Sequence, residues 1–567
     1  MKAQQDEPDL SFEQALALKN ESNESNRNIR AAMGRLPGDG DADYDAEMTR
    51  HIAGDVKSTN PLMISSTAEF DVSGLTSAGL FGFDKNFDPF AVDATVEKWQ
   101  SSQDGLYDKV VMRDDMTWSD GKPITAHDVE FSFKVIMTSK IPIPAVRSGT
   151  DQLKYVKAYD DHTVVFFHKE SMATNVWNIN FPIIPKHIYE HSIREDPTLE
   201  KSKYHNKYDR NPVVGGMYDI VKRERGQQIV LERRKSYYMH NGKQVRDKPH
   251  FKTIRFRVIQ DNATALLALK KGTIEEMALT PEQWQTQTDN DQYYSQNTKA
   301  RDIEWVYFYF GWNCKSGFFK DKKVRQAMSY AFDHDTMIKR HRYGLDEPCT
   351  GIFHPTARWY PKTQIKPYKQ DLDKAEKLLV AAGWEDHDSD GFLDKKVNGE
   401  FVKFEFTLLV SNRQDRIDIC DMFRENLERI GIICNVQPME FTVLQDRSRK
   451  HKFQAIMAGW GTGTDPDTSE NLWTTKAIKN GRNYGEYSSK KIDELFEKGK
   501  RELDPEKRTA IYAEIHLVLW KDQPYTWLYF RNAYYGFNKS LRGYNFSPRG
   551  PYNYGPGFDS IWKRAAL

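Results

Sequence analysis

Apolar and polar residues follow strand and helix patterns that succeed each other directly along the chain. Residues 253–259 (TIRFRVI) place an apolar side chain at every second position from Ile254, which predicts a strand with one buried face. Residues 261–272 (DNATALLALKKG) follow as a predicted helix, with Asp261 as its N-cap and Gly272 as its terminator. A strand that leads straight into a helix is typical of mixed α/β proteins.

The second half of the chain repeats this pattern at greater length. Residues 404–410 predict a strand, and apolar side chains then recur at helical spacing over residues 420–430. Gly431 supplies a turn, and the apolar pair Ile432–Ile433 begins another strand. Because strands and helices alternate without any internal repeat, we predict a doubly wound α/β lobe in this half.

Length and charge restrict the architecture and the partners. The chain has 567 residues, about three to four times the length of a typical domain, so we expect two or three substructures. Its 82 lysine and arginine residues nearly balance 81 aspartate and glutamate residues, so we expect no nucleic-acid partner. No apolar run reaches the roughly 18 residues that a membrane-spanning helix needs.

Sequence motifs for common enzymes are missing. The chain contains no HExxH, GxSxG or GxxxxGK[ST] motif, and no GxGxxG motif follows a predicted strand. We therefore expect no catalytic residues and no cofactor. The enzymatic alternative that stays open is a carbohydrate-active enzyme with two carboxylates in an aromatic cleft, because glycosidases carry no short signature.

A metal site is considered and not predicted. Residues 386–391 (DHDSDG) resemble the first half of a calcium loop, but Val397 occupies the twelfth position, where an EF-hand needs glutamate. We favour a polar hairpin turn, and calcium binding by residues 386–397 stays open. The histidines form no tight cluster, so we interpret His334, His341 and His354 as ordinary structural residues.

The cysteines do not reveal the redox compartment. Cys314, Cys349, Cys420 and Cys434 show no CxxC or zinc-ligand spacing, so free thiols and two disulfides both stay open. Cys420, on the predicted helix, and Cys434, on the following strand, would meet if the helix packs back across the sheet. A bridge between these two is therefore the pairing that we predict.

The first 45 residues differ from the rest in composition. They are rich in Asp, Glu, Asn and Ser, with scattered apolar positions and no signal-peptide apolar region. We interpret residues 1–44 as a mostly disordered leader. If the protein is exported, the export signal is expected outside this sequence.

Five segments, in order, carry a resemblance to a known family. They are Trp118–Phe133 (WSDGKPITAHDVEFSF), Asn211–Tyr238, Phe318–Gly344, Asp373–Trp384 (DKAEKLLVAAGW) and Ala458–Trp473. In the first, Thr125 and Asp128 have the spacing of a helix capping box. The series resembles the peptide/nickel class (family 5) of extracellular solute-binding proteins, which are the substrate-binding components of ABC importers.

The resemblance implies a two-lobed periplasmic-binding-protein-like α/β fold (type II, cluster C) with an inserted subdomain and a two-strand hinge. Lobe I would comprise residues 45–75, 209–305 and 526–567, with residues 76–208 inserted into it. Lobe II would comprise residues 306–525. The aromatic runs Ile303–Asn313 and Pro524–Phe537 are the candidate hinge strands.

The resemblance also implies a function. We expect a monomer, periplasmic or extracellular and with or without a lipid anchor, that captures a small molecule or peptide between closing lobes. It would then pass the ligand to the membrane subunits of an ABC importer. A peptide is favoured, and an oligosaccharide-binding member of the same family is the alternative. A scaffold that kept the fold and lost transport is the rival from another class.

Ligand contacts are expected in the segment Gly459–Asp467 (GWGTGTDPD), which resembles the family's cleft loop. Peptide-binding relatives place an aspartate shortly after this tryptophan, where it pairs with the ligand's amino terminus. Here the first carboxylate is Asp465, so either Asp465 binds the amine or the pocket suits a neutral solute. Aromatic rings near the loop and hinge, including Trp305, would bury apolar ligand groups. The candidate ligand-binding residues are Trp460, Gly461, Thr462, Gly463, Thr464, Asp465, Trp473, Trp312 and Trp359.

Overall fold

The computed structural model describes most of the chain. The described residues are 10–64, 66–141, 143–199, 203–363, 365–548, 550–552 and 554–565. The chain divides into unit 1, Met1–Asp302 with Ala533–Leu567, and unit 2, Ile303–Asn532. Within the described residues, no helix combines the length and the apolar character needed to cross a bilayer.

The secondary structure of unit 1 is mixed. Its helices are α1 (Phe12–Ala17), α2 (Asn23–Met33), α3 (Thr67–Thr76), α4 (Ala126–Ile136), α5 (Pro144–Thr150), α6 (Asn175–Asn178), α7 (Lys186–Glu195), α8 (Lys203–Arg210), α9 (Lys235–Tyr238), α10 (Asn262–Lys270) and α11 (Asp291–Gln296). Its strands are β1 (Glu47–Ile52), β2 (Phe81–Phe83), β3 (Pro89–Ala91), β4 (Val96–Ser101), β5 (Tyr107–Met112), β6 (Leu153–Ala158), β7 (Thr163–His168), β8 (Tyr218–Glu224), β9 (Gln228–Arg233), β10 (Met239–His240), β11 (Lys243–Gln244), β12 (Thr253–Val258) and β13 (Glu276–Ala278).

Two long strands pass from one unit into the other, and unit 2 lies between them in the chain. The first is β14 (Asn297–Trp312). The helices of unit 2 are α12 (Lys322–Ala331), α13 (His334–Thr336), α14 (Leu372–Val380), α15 (Gln414–Glu428), α16 (Phe441–Arg449), α17 (Glu470–Trp473), α18 (Ala477–Asn480), α19 (Lys490–Arg501) and α20 (Pro505–Asp522). Its strands are β15 (Glu347–Pro348), β16 (Asp394–Val397), β17 (Glu400–Lys403), β18 (Glu405–Ser411), β19 (Ile433–Met439) and β20 (Ala455–Gly461), and the chain returns to unit 1 through β21 (Tyr525–Asn538), β22 (Leu541–Arg542) and β23 (Trp562–Lys563).

The predicted hinge runs, 303–313 and 524–537, fall on β14 and β21. The lobe boundaries expected from the sequence stay a prediction.

Two sheets organise unit 1. In the first, β13, β1, β12, β9 and β8 are neighbours in that order, and β1 runs parallel to β12. The second is antiparallel, with the order β4-β5-β7-β6, and lies in the predicted inserted subdomain. Helix α4 packs against this second sheet. The backbone N–H of Thr125 donates to Asp128 at 2.9 Å, which confirms the predicted capping box.

The prediction of a disordered leader over residues 1–44 is wrong for the described part of that range. Ser11 caps α1 through a capping box with Gln14, and Ser22 caps α2. Leu16 and Ile29, with neighbouring apolar side chains of both helices, are buried in the core of unit 1. The apolar positions, although scattered, have helical spacing, and burying them offsets the entropy cost of ordering a polar segment. Residues 1–9 lie outside the described residues.

The sheet of unit 2 has the order β19-β18-β20-β14-β21, and β15 pairs with β21. Strand β18 is parallel to both β19 and β20, whereas β20 is antiparallel to β14. Apolar side chains of β18, β14 and α15 form the main core of the unit, in which Phe406, Phe310 and Phe423 are fully buried. The strand–helix–strand unit predicted from residue 404 onward is present as β18, α15 and β19.

The predicted bridge between Cys420 and Cys434 is absent, because both side chains are free thiols in the structure. Cys420 lies in the apolar core, where its sulfur is 3.6 Å from the sulfur of Met457. Burial raises the pKa of the Cys434 thiol to about 12, so this side chain is held as a neutral apolar group. Sequence spacing alone could not show that the sulfur of Cys420 lies beside a methionine of β20.

Candidate functional site

The sheet of unit 2 contains a point at which the direction of winding reverses. From β18 the chain passes through α15 to β19, and it then returns through α16 to β20 on the other side of β18. The two helices cover opposite faces, since Phe423 of α15 packs in the main core while Leu444 of α16 packs with Leu409 and Ile456. In open α/β sheets the carboxyl ends of strands form a ligand crevice at such a point.

A cavity of about 180 Å³ lies at this point. We call it the switch-point pocket, and it is lined by Val306, Phe308, Tyr309, Gly311, Arg416, Phe441, Leu444, Gln445, Ser448, Phe453, Ile456, Met457, Ala458, Gly459, Trp460, Tyr484, Gly485 and Tyr525. Two of these residues lie in helices that follow strand ends: Arg416 is in the first turn of α15, after β18, and Phe441 is the first residue of α16, after β19. The lining is mainly apolar, as in most small-molecule pockets.

Two guanidinium groups stack on aromatic rings of the pocket. The Arg416 guanidinium carbon lies 5.0 Å from the centre of the Phe308 ring, and Nη1 of Arg416 donates to Oγ of Ser411 at 3.1 Å. Burial, together with the neighbouring Arg413, lowers the pKa of Arg416. The guanidinium carbon of Arg482 lies 5.2 Å from the Trp460 ring centre. The aromatic walls therefore carry a positive potential at these two places.

The loop that follows β20 is held by its own hydrogen bonds. The backbone N–H of Thr462 donates to the carbonyl of Trp305 at 2.8 Å, and its hydroxyl donates to the carbonyl of Ile352 at 2.9 Å. A side chain at Gly463 would collide with Thr468, so the close approach of these two segments requires glycine. The loop is therefore fixed in place beside the pocket, and Trp460, near the end of β20, is half-buried.

The carboxylate of Asp465 is bound by other groups of the protein. Its two carboxylate oxygens accept hydrogen bonds from Nη1 and Nη2 of Arg508, each at 2.7 Å, and Asp465 is only 1% exposed. It also accepts the backbone N–H of Asp467 at 2.9 Å and so caps the following turn. These contacts give Asp465 a structural role and argue against a second role as the partner of a ligand amine. That second role stays a prediction.

A second carboxylate lies behind the same turn. Oδ1 of Asp467 accepts the hydroxyl of Tyr512 at 2.7 Å. Burial is the main cause that raises the pKa of Asp467 to about 7, and the nearby negative charges of Glu470 and Asp465 add to it. The first two carboxylates after Trp460 therefore belong to a polar network within the protein, in which Asp465 is buried and Asp467 is partly buried.

Comparison with known proteins identifies the family. The sequence profile of the bacterial extracellular solute-binding proteins, family 5 (middle region), matches residues 91–482. The chain belongs to this family. The oligopeptide-binding protein AppA of Bacillus subtilis is 30% identical over 453 residues, which cover 78% of this chain and 79% of AppA. The dipeptide-binding protein of Escherichia coli is 22% identical over 516 residues, covering 87% and 91%.

Solved structures agree with this assignment to family 5. The structure of AppA from Bacillus subtilis in complex with a nonapeptide has a TM-score of 0.79 and 27% identity, and it covers 92% of this chain and 99% of that chain. NikZ from Campylobacter jejuni, in complex with Ni(L-His), has a TM-score of 0.75 at 24% identity and covers 91% and 99%, a likeness of fold alone. The predicted family and the predicted fold class are both confirmed.

Of the nine predicted contact residues, the structure places only Trp460 in the lining of the switch-point pocket. Trp312 is buried in the main core against Phe319, with ring centres 4.5 Å apart. Trp473 is buried against Tyr525, and Trp359 meets Trp305 edge to face at 6.0 Å. Gly461 is the last residue of β20, and Thr462, Gly463 and Thr464 lie in the loop that follows it. Ligand contact by these residues stays a prediction.

Sequence reasoning missed Arg416 and the apolar residues of α16. Their position was available as a signal, because Arg416 and Phe441 follow the ends of two parallel strands, β18 and β19. In a doubly wound sheet such positions approach each other at the carboxyl edge.

The acidic segment 386–391 forms a polar turn in which the backbone N–H of Gly391 donates to Asp386 at 3.0 Å. Carboxylate oxygens of Asp386, Asp388 and Asp394 lie within 4.8 Å of one another, and calcium binding there stays open.

Proposed function

We propose that this protein binds a peptide for an ABC importer and that unit 2 contributes the switch-point pocket and the exposed edge of β20 to the site. The observation that carries the proposal is this mainly apolar pocket beside a half-buried tryptophan, in a member of family 5. The relative AppA, named as oligopeptide-binding, matches about four fifths of the chain and supports a peptide as ligand.

The edge of β20 suits the main chain of a peptide. In the described residues, β18 pairs with β20 only at Ala455 and Ile456. On its other side β20 is paired with β14 along its whole length, Ala455 to Gly461. The edge from Ala458 onward, where the residues of β20 are partly or fully exposed, can therefore accept an extended peptide as an added strand, a common mode of peptide recognition.

An oligosaccharide fits these surroundings less well. Each hydroxyl of a sugar needs a hydrogen-bond partner, whereas few polar side chains line the pocket. One of these, the hydroxyl of Ser448, already donates to the carbonyl of Leu444 at 2.8 Å. On this proposal the protein performs no chemistry on its ligand, its partners are the importer's membrane subunits, and it acts as a monomer outside the cytoplasmic membrane.

The experiment is native mass spectrometry of protein purified from cells, followed by titration calorimetry and thermal-shift measurements with synthetic peptides and with oligosaccharides. We expect co-purified peptides, and a higher melting temperature when they are added back, because a ligand that binds only the folded state stabilises it by mass action. Binding of oligosaccharides with no binding of peptides would refute the proposal.

A further inference from the structure

The antiparallel sheet β4-β5-β7-β6 of unit 1 has one buried face and one exposed face. Its inward side chains, which include Val110, Val156 and Val164, belong to an apolar core that α4 shares. Because successive side chains of a strand alternate between the two faces, the register of the strands gives the members of the other face. We call it the outer face, and its members are Lys98, Gln100, Tyr107, Lys109, Val111, Tyr155, Lys157, Thr163, Val165 and Phe167.

A row of three aromatic rings crosses the outer face. Tyr107 pairs with Phe167 between β5 and β7, and Phe167 pairs with Tyr155 between β7 and β6. The rings of Tyr155 and Phe167 stack with their centres 4.1 Å apart, and Tyr107 meets Phe167 edge to face at 5.3 Å. The two tyrosines are nevertheless 43% and 42% exposed. A row of aromatic rings that stays in water on a folded protein indicates an interaction surface.

The charge of the outer face has a single sign. Lys109 and Lys157 lie in the row next to the aromatic rings, Lys98 lies on the edge strand β4, and all three are exposed. None of the ten members is acidic. The carboxylates nearest along the chain lie at the bulge of β4 or in the loops between strands, and they belong to Glu97, Asp104, Asp160 and Asp161. The near-zero net charge of the whole chain therefore conceals a local positive surface.

The geometry of the rings distinguishes between partners. Proteins that stack nucleobases offer them the open face of an aromatic ring. The middle ring, Phe167, is flanked by both tyrosines, so it has no open face for a base. A bilayer surface has different requirements: tyrosine rings lie at the level of the headgroups, and lysines are attracted by anionic lipids. Tyr107 and Tyr155 meet the first requirement, and the lysines of the outer face meet the second.

We propose that the outer face docks unit 1 on an anionic phospholipid surface, with its lysines against the headgroup phosphates and Tyr107 and Tyr155 among the headgroups. This inference goes beyond the proposed function, because it concerns neither the ligand nor the importer's subunits. A few lysines and two rings give reversible, peripheral binding that salt weakens. Such binding would hold the protein close to a membrane without holding it at one place.

Flotation of the full-length protein with lipid vesicles tests the proposal. One set of vesicles is phosphatidylcholine alone, and the other contains roughly 30% phosphatidylglycerol, which supplies the negative surface potential. At low salt we expect the protein to float with the anionic vesicles and not with the neutral ones. Binding should be lost in about 1 M sodium chloride, where the Debye length is about 3 Å.

Variants assign the binding to the outer face. Lys109→Gln combined with Lys157→Gln should weaken binding to anionic vesicles about 20-fold, since each lysine near such a surface contributes about fivefold. Lys479→Gln combined with Lys490→Gln removes the same charge from exposed positions in unit 2 and is the matched control, which should bind like the wild type. Tyr155→Ser should weaken binding at least about threefold and leave the salt dependence in place. Melting temperatures like that of the wild type show that each variant is folded.

Three outcomes overturn the proposal. The first is a protein that does not bind anionic vesicles at low salt, including one that binds a single-stranded oligonucleotide instead. The second is binding that the Lys109 and Lys157 substitutions leave intact. The third is an equal loss in both double variants, which would show a response to net charge alone. Peptide binding is measured separately on the same proteins, so none of these outcomes bears on the proposed function.

Discussion

Replacement of Asp465 by Asn distinguishes a structural ion pair from a ligand anchor. The carboxylate and the Arg508 guanidinium are 2% and 9% exposed at their side chains, and they are joined by two hydrogen bonds of 2.7 Å. Asn keeps the shape but places an NH₂ group against the cationic donors of Arg508. Removing one partner of a buried pair costs about 3–5 kcal/mol of unfolding free energy.

The melting temperature of unit 2, Ile303–Asn532, should therefore fall by about 6–20 °C. Each kcal/mol of unfolding free energy corresponds to about 2–4 °C in a folded unit of roughly 150 to 250 residues. Differential scanning calorimetry measures the shift, and Asp373→Asn, an exposed position of α14, is the control, with an expected effect within about 0.5 kcal/mol.

Peptide affinity is measured on the same variant well below its melting temperature. The reasoning is refuted if Asp465→Asn melts like the wild type, binds free-amine peptides more than tenfold more weakly, and binds amino-acetylated peptides as the wild type does. That combination would show that the carboxylate serves the ligand amine.

Two further predictions concern ionisable side chains. Because the pKa of folded Asp467, about 7, lies above its ordinary value of 3.8, the wild type should lose stability as pH rises from about 4 through 7. Asp467→Asn should be more stable than the wild type at pH 8 and equal to it near pH 4 in urea unfolding; an identical difference at both pH values would contradict this. Unfolding in iodoacetamide without reductant should label all of Cys314, Cys349, Cys420 and Cys434, since each is a free thiol, and incomplete labelling by intact mass would indicate a disulfide.

Local patterns predicted local structure well. The alternation at 404–410 corresponds to β18, and Asp261 caps α10 by accepting the backbone N–H of Thr264 at 2.7 Å. These features depend on residues a few positions apart, so a sequence displays them directly. The helices α1 and α2 were missed because composition was given more weight than the helical spacing of their buried residues.

The candidate site was predicted only in part, because it depends on distant residues. Resemblance directed attention to Trp460, which does line the pocket. The role of Asp465 is determined by Arg508, which lies 43 positions further along the chain, and no local pattern links the two. Likewise, Arg416 and Leu444 meet at one cavity only because β18 lies between β19 and β20 in the sheet.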